Sequence, residues 1–172
     1  QCIETRIEQN IFDYSIEDEI KKSQRPLFVL GHGIILSGCE NETLDLCVQL
    51  NIPYVITWGA MNLSKGNNSL YIGHIGVYGN RIANFAVQNA DLLIIIGARL
   101  ETRQIGGNPK LFSVQSKKIM IDYDINEITK MQERGLHIDK YYVSDAKVFV
   151  NQILKQVKPF NINYCEWLSK IN

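Results

Sequence analysis

The sequence predicts an α/β fold: a doubly wound parallel sheet of about six strands with helices on both faces. Two observations carry this. First, the runs LFVLG (Leu27–Gly31), YVIT (Tyr54–Thr57), LLIIIG (Leu92–Gly97) and KIMID (Lys118–Asp122) are short, apolar and free of polar alternation, as strands covered on both faces are. Second, segments with helical spacing of apolar residues lie between them, and strand alternating with helix implies right-handed crossovers onto both faces. The result is a Rossmann-like three-layer sandwich.

Taken in order, SIEDEIKKSQRP opens with Ser15 three residues before Asp18, the capping-box spacing that satisfies free amides at a helix start. Pro26 then forbids further helix, so a short helix precedes the first strand. Leu44, Cys47 and Val48 form the apolar stripe after that strand, and Pro53 stands at the start of the next, where a ladder can spare an amide. Ile82, Phe85, Ala86 and Ala90 form the next helical stripe, and a weaker strand is expected in LHIDKYYV (Leu136–Val143). The cleanest period is Ala146, Phe149, Val150, Ile153, Leu154 and Val157, with Lys147, Asn151 and Lys155 opposite. Asn161–Asn172 carries Trp167 and Leu168 beyond the last clear helix and reads as a tail or linker.

Composition narrows the function. The 172 residues are 45% hydrophobic, enough to bury one full core. Formal net charge is zero, with 18 basic and 18 acidic residues scattered along the chain, so no electrostatic footprint points to nucleic acid or an anionic membrane. Cys2, Cys39, Cys47 and Cys165 make neither a C-x-x-C pair nor a secreted disulfide framework, and read as reduced thiols of a cytoplasmic protein. No apolar run approaches the roughly 20 residues of a membrane span. The opening QCIETRIEQN, without methionine, suggests a processed product or an excised piece of a longer chain.

In a doubly wound sheet, ligands sit outside the carboxyl ends of the strands, which directs attention to four loops. GHGIILSG (Gly31–Gly38) departs from G-x-G-x-x-G at Leu36; its glycines serve either close backbone approach to a diphosphate or a tight strand-to-helix turn. TWGAMN (Thr57–Asn62) is the second. GARLETRQIGG (Gly97–Gly107) places Arg99 and Arg103 just past a buried strand, where they either clamp phosphates or a planar ring or pair with carboxylates such as Glu101. IDYDINEI (Ile121–Ile128) sets Asp122 at a strand end, able to accept hydrogen bonds from a ribose, while Asp124 equally suits a helix cap. His32, His74 and His137 are dispersed and outside metal-ligand spacing. Neither a G-x-S-x-G elbow nor a G-x-x-x-x-G-K-[ST] loop occurs.

Together, RPLFVLGHG, LNIPYVITW, YIGHIGVYGNRIANFAVQNADLLIIIGARLETRQIGGN and KKIMIDYDINEI, in this order, resemble the central domain of thiamine-diphosphate-dependent enzymes of the acetolactate synthase type. The resemblance runs from about Ser15 to Phe160. It implies that 1–14 links to an upstream pyrimidine-binding domain, that 15–160 is the central domain, and that 161–172 leads towards a downstream diphosphate-binding domain. In that family, thiamine diphosphate and magnesium lie between the outer two domains. The activating glutamate comes from the first and a G-D-G motif from the third; GDG does not occur in this chain. The implied parent is a homo-oligomeric 2-keto acid decarboxylase or carboligase, and the isolated chain is expected to be inactive.

In flavin-containing members the central domain holds FAD along its strand ends. The resemblance carries that role to Gly31, His32 and Gly33 near the diphosphate, and to Thr57 and Trp58 in the second loop. Gly76, Val77, Tyr78 and Gly79 then fall beside the isoalloxazine or ribityl chain, Gly97, Ala98, Arg99 and Arg103 follow, and Asp122 and Tyr123 lie by the adenosine, with Asp145 after the last strand. Trp58 stands where the family carries T-L-x-G-x-G, and either stacks on adenine or plugs an empty groove. A self-standing nucleotide-binding module is the alternative to a piece of a larger enzyme. A sirtuin-like deacylase fails, because four scattered cysteines cannot make its paired zinc site.

Overall fold

A computed structural model describes residues 15–64, 69–157 and 164–171. The expected linker over 1–14, the Ser15 side chain of the capping box, Cys2 and residues 158–163 lie outside the described residues.

The chain runs α1 (Ser15–Lys22), β1 (Pro26–Leu30), α2 (His32–Leu36), α3 (Glu40–Leu50), β2 (Tyr54–Ile56), a 3-10 segment (Trp58–Ser64) and β3 (Tyr71–His74). It continues through α4 (Arg81–Asn89), β4 (Leu92–Ile96), α5 (Thr102–Ile105), a 3-10 turn (Pro109–Leu111), β5 (Lys117–Asp122), α6 (Ile125–Glu133), β6 (Lys140–Val143), α7 (Ala146–Gln156) and α8 (Cys165–Ile171). All six strands are parallel, in the order β3-β2-β1-β4-β5-β6. Strand order therefore reverses between β1 and β4, where the connections leave in opposite directions and open a crevice. The four apolar runs are β1, β2, β4 and β5, and the weak strand is β6. The sixth, β3, was not legible as a strand: it is an edge strand interrupted by Gly73 at φ +137°, and its register against β2 shifts between Tyr54 and Val55.

Leu27–Leu30, Val55, Leu92–Ile96 and Ile119–Ile121 are all buried, as expected. On α7, Ala146, Phe149, Val150 and Ile153 are buried, as is Val157 at its C-cap, and Leu154 packs against the core. Two helices are rotated from their expected faces. On α3 the buried residues are Thr43, Leu46, Cys47 and Leu50, with Val48 outside. On α4 they are Ala83, Ala86 and Val87, while Ile82 and Phe85 are 46% and 50% exposed. On α4 the cause is a pair of asparagines. Asn80 caps the helix at Ala83 N and donates from Nδ2 to Ile72 O (3.1 Å), and Asn84 grips both the amide and the carbonyl of Gly76 at 3.0 Å. Residues 80, 84 and 87 share one helical face, so this polar clamp turns 82 and 85 outward, and the alanines let α4 lie close to β3.

The segment expected to be a tail includes a docked helix. Trp167 of α8 is 3% exposed and donates Nε1–H to Pro26 O at 3.1 Å, and the Tyr164 hydroxyl reaches Ile20 O at 3.3 Å. Cys39 and Cys47 are buried thiols, and burial pushes both above the usual cysteine range. Among the described residues, no helix is long and apolar enough to cross a membrane.

Candidate functional site

The carboxyl ends of the strands are tied into one rim by backbone hydrogen bonds. Gly31 N donates to Ile96 O and Gly97 N to Ile121 O, each at 2.9 Å, and Ser144 N donates to Asp122 O at 3.0 Å. At the reversal point, Gly31, Gly33 and Gly97 bring two loops into backbone contact. A Cβ on Gly31 would lie 2.1 Å from Gly97 O, one on Gly33 would lie 2.8 Å from Gly97 Cα, and Gly97 itself has φ +59°. The glycines thus close the floor of a groove of about 720 Å³ lined by loops from β1, β2, β4, β5 and β6, within the roughly 300–1,000 Å³ of small-molecule sites.

Nine of the expected site residues line this groove: His32, Gly33, Thr57, Trp58, Gly97, Arg99, Asp122, Tyr123 and Asp145. Gly31 and Ala98 are buried and serve the floor from below. Val77, Tyr78 and Arg103 line a neighbouring cavity of about 130 Å³, together with Trp58, Ile75, Glu101 and Gln104. Gly76 and Gly79 line neither cavity; they shape the turn after β3, where Gly76 has φ +111° and accommodates Arg103 O.

The polar groups have defined partners. His32 Nδ1 lies 2.6 Å from Gly59 O; a carbonyl only accepts, so Nδ1 carries the hydrogen of that bond. Asp145 caps α7, accepting from Lys147 N (2.8 Å) and Val148 N (3.3 Å), and it also accepts from Ser37 Oγ (2.8 Å), joining two loops 108 residues apart. Asp124 caps α6 at Asn126 N (2.9 Å). Arg99 approaches Glu127, Nε to Oε1 3.9 Å, rather than Glu101. Trp58 is 59% exposed and stacks on Tyr78, ring centroids 5.7 Å apart at 29°, so it stands as a wall between the two cavities with an open face. Gln104 Oε1, in the same wall, is buried with no donor reaching it among the described residues, an arrangement that costs about 1–3 kcal/mol.

Sequence reasoning missed Ser37, Gly59, Gln104 and Ser144 as lining residues. Ser37, Gly59 and Gln104 belong to loops already singled out and Ser144 adjoins Asp145, but nothing local marks them, since their positions depend on which crossover returns above the floor.

Asp122 is the buried carboxylate of the groove. Burial raises its pKa above 3.8; the hydrogen bond from Asp124 N opposes this, Glu127 adds to it, Arg99 lowers it and Asp124 raises it slightly. The folded state therefore holds the proton more tightly than the unfolded chain, so this residue's contribution to stability falls as pH rises from about 3.8 through the folded value. Asp122→Asn, uncharged and of equal shape, is expected to be more stable than wild type at neutral pH, with the gain disappearing at acid pH. Urea midpoints measured from pH 3 to pH 7 test this; a pH-independent difference would contradict it.

Carboxylates outnumber cations here: Glu101, Asp122, Asp124 and Asp145 against Arg99. Two of the four are engaged as helix caps, which leaves Glu101 and Asp122; Asp122 could serve sugar hydroxyls, Tyr123 and Trp58 an aromatic ring, and Arg99 a phosphate. These residues fit a nucleotide such as the adenosine diphosphate half of FAD. Among the described residues, no three His, Cys, Asp or Glu side chains are grouped to hold a metal ion.

The profile of the family described as "Thiamine pyrophosphate enzyme, central domain" matches residues 15–153. The chain is 36% identical over 138 residues to the probable acetolactate synthase large subunit of Methanococcus aeolicus, covering 80% of this chain and 22% of that protein. It is 33% identical over 153 residues to the probable acetolactate synthase large subunit of Methanocaldococcus jannaschii (88% and 25%), and 31% identical over 156 residues to the acetolactate synthase large subunit of Cyanidium caldarium (88% and 26%). The chain thus spans about a quarter of the length of these relatives.

Proposed function

This chain belongs to the family of thiamine pyrophosphate enzyme central domains, and from that premise we propose that it is the middle domain of a thiamine-diphosphate-dependent enzyme of the acetolactate synthase type. The parent acts on a 2-keto acid such as pyruvate, in the cytoplasm, as a homo-oligomer. Thiamine diphosphate, held with magnesium by flanking pyrimidine-binding and diphosphate-binding domains, supplies the electron sink for decarboxylation and carbon–carbon bond formation. The central domain's own part is to hold a nucleotide, FAD or one of ADP type, across its strand ends.

The observation that supports this role is the groove at the strand-order reversal, where the Gly31, Gly33 and Gly97 floor meets the Asp122 carboxylate. In it, a bound nucleotide would find Asp122 as acceptor for the ribose, Tyr123 and Trp58 beside a ring, and Arg99 facing the phosphates.

Two measurements test the reading. The isolated chain, given pyruvate, thiamine diphosphate and magnesium, is expected to turn over nothing, whereas the same chain within a polypeptide carrying both flanking domains is expected to release carbon dioxide. Turnover by the isolated chain above a no-protein control would refute the domain assignment. An absorbance scan and calorimetric titration with FAD and ADP test the groove. No binding at millimolar ligand, a limit of about −4 kcal/mol, would leave the domain a scaffold.

A further inference from the structure

The main groove and the smaller cavity share three wall residues, Trp58, Glu101 and Gln104. Their contents differ. The Asp122 carboxylate, Tyr123 and the glycine floor all belong to the larger compartment, whereas the smaller one holds about 130 Å³ between Val77, Tyr78 and Arg103. That is well below the roughly 300 Å³ at which small-molecule sites begin, and too little for a three-ring heterocycle.

The wall is held from both sides. Trp58 opens the segment after β2, whose next carbonyl, Gly59 O, accepts from His32 Nδ1 at 2.6 Å. Tyr78 lies in the turn after β3, and its own carbonyl meets His74 Nε2 at 2.8 Å. The rings stack between these anchors. A ligand confined to the larger compartment leaves the stack intact, but one reaching from the Asp122 end into the smaller cavity has to pass this wall and part the rings.

We propose that the stacked Trp58–Tyr78 pair determines ligand specificity, admitting a nucleoside diphosphate of ADP type and excluding the flavin end of a dinucleotide. This rests on the nucleotide reading above and selects within it. Both side chains are mostly exposed, so replacing either should leave the core undisturbed.

The test is calorimetric titration of the full chain with ADP and with FAD, for wild type, Trp58→Leu and Tyr78→Ala, with folding of each variant checked by circular dichroism. Wild type is expected to bind ADP at least tenfold more tightly than FAD. Each variant is expected to raise the FAD-to-ADP affinity ratio at least tenfold, and Tyr78→Ala decides the matter should Trp58→Leu misfold. A wild type that binds FAD as tightly as ADP, or an unchanged ratio in the folded variants, overturns the partition while leaving nucleotide binding standing. Failure of both ligands to bind wild type and variants at millimolar concentration overturns the nucleotide reading, and the partition with it.

Discussion

Gly31→Ala is expected to destabilise the domain by about 3 kcal/mol or more, moving the urea midpoint down by roughly 1.5 M for a slope near 2 kcal/mol/M. Gly31 is not needed for a left-handed conformation, since its backbone is extended at φ −112°. The reason is contact: the added Cβ would meet Gly97 O at 2.1 Å, Ala98 Cα at 2.4 Å and Gly97 C at 2.5 Å. All three are backbone atoms of the neighbouring loop, so no rotamer change relieves the clash, and the β1 and β4 ends have to separate. The same separation opens the groove floor, so nucleotide affinity should fall together with stability. Gly107→Ala is the control: a Cβ there meets nothing within 4 Å, and its effect should stay within about 0.5 kcal/mol. A Gly31→Ala protein within 1 kcal/mol of wild type would mean that the two loops are not in contact.

Trp167→Ala is expected to cost about 3–5 kcal/mol, the range for truncating a buried large aromatic residue. The indole is covered, and its Nε1–H donates to Pro26 O, the first carbonyl of β1. Removing it empties the seat of α8 and leaves that carbonyl without its donor. Tyr164 and Ile171 flank the same contact and are buried as well, so α8 should detach as a unit, and its amides should lose protection in hydrogen exchange while β1 and β4 keep theirs. Trp167→Phe, which retains most of the apolar area but not the hydrogen bond, should cost about 1 kcal/mol. If Trp167→Ala changes stability by less than 0.5 kcal/mol, α8 is the free tail that its distance from the last periodic helix suggested.

That contrast between α7 and α8 marks how far local pattern reaches. Helix α7 was legible because its apolar stripe faces a sheet that any amphipathic helix in that place would cover. Helix α8 has only seven residues, too few to establish a period, and its burial comes from fitting one indole against β1, with Tyr164 just before it reaching α1. The site divides in the same way. Glycines at strand ends, the arginines after β4 and the acid at the end of β5 were visible, because strand-end loops are where a doubly wound sheet offers amides and space. The partners of those residues were not. Arg99 faces Glu127 rather than Glu101, its close neighbour in sequence, Asp145 answers Ser37 across 108 residues, and Trp58 meets Tyr78 from a different strand's loop.

By itself, then, the sequence determined the alternation of strand and helix and the buried runs of β1, β2, β4 and β5, and it offered Asp124 as one candidate cap. Each follows from short-range periodicity, backbone preference or the requirement that apolar residues leave water. Only the tertiary structure decided the rotation of α3 and α4, the edge strand β3, the seat of α8 and the wall between the two cavities. Those depend on contacts between residues far apart in the chain. On α4 the apolar pattern favoured one face, but two asparagines binding the β3 turn held another, because buried backbone amides and carbonyls must be hydrogen-bonded while an exposed Ile82 or Phe85 merely forgoes burial.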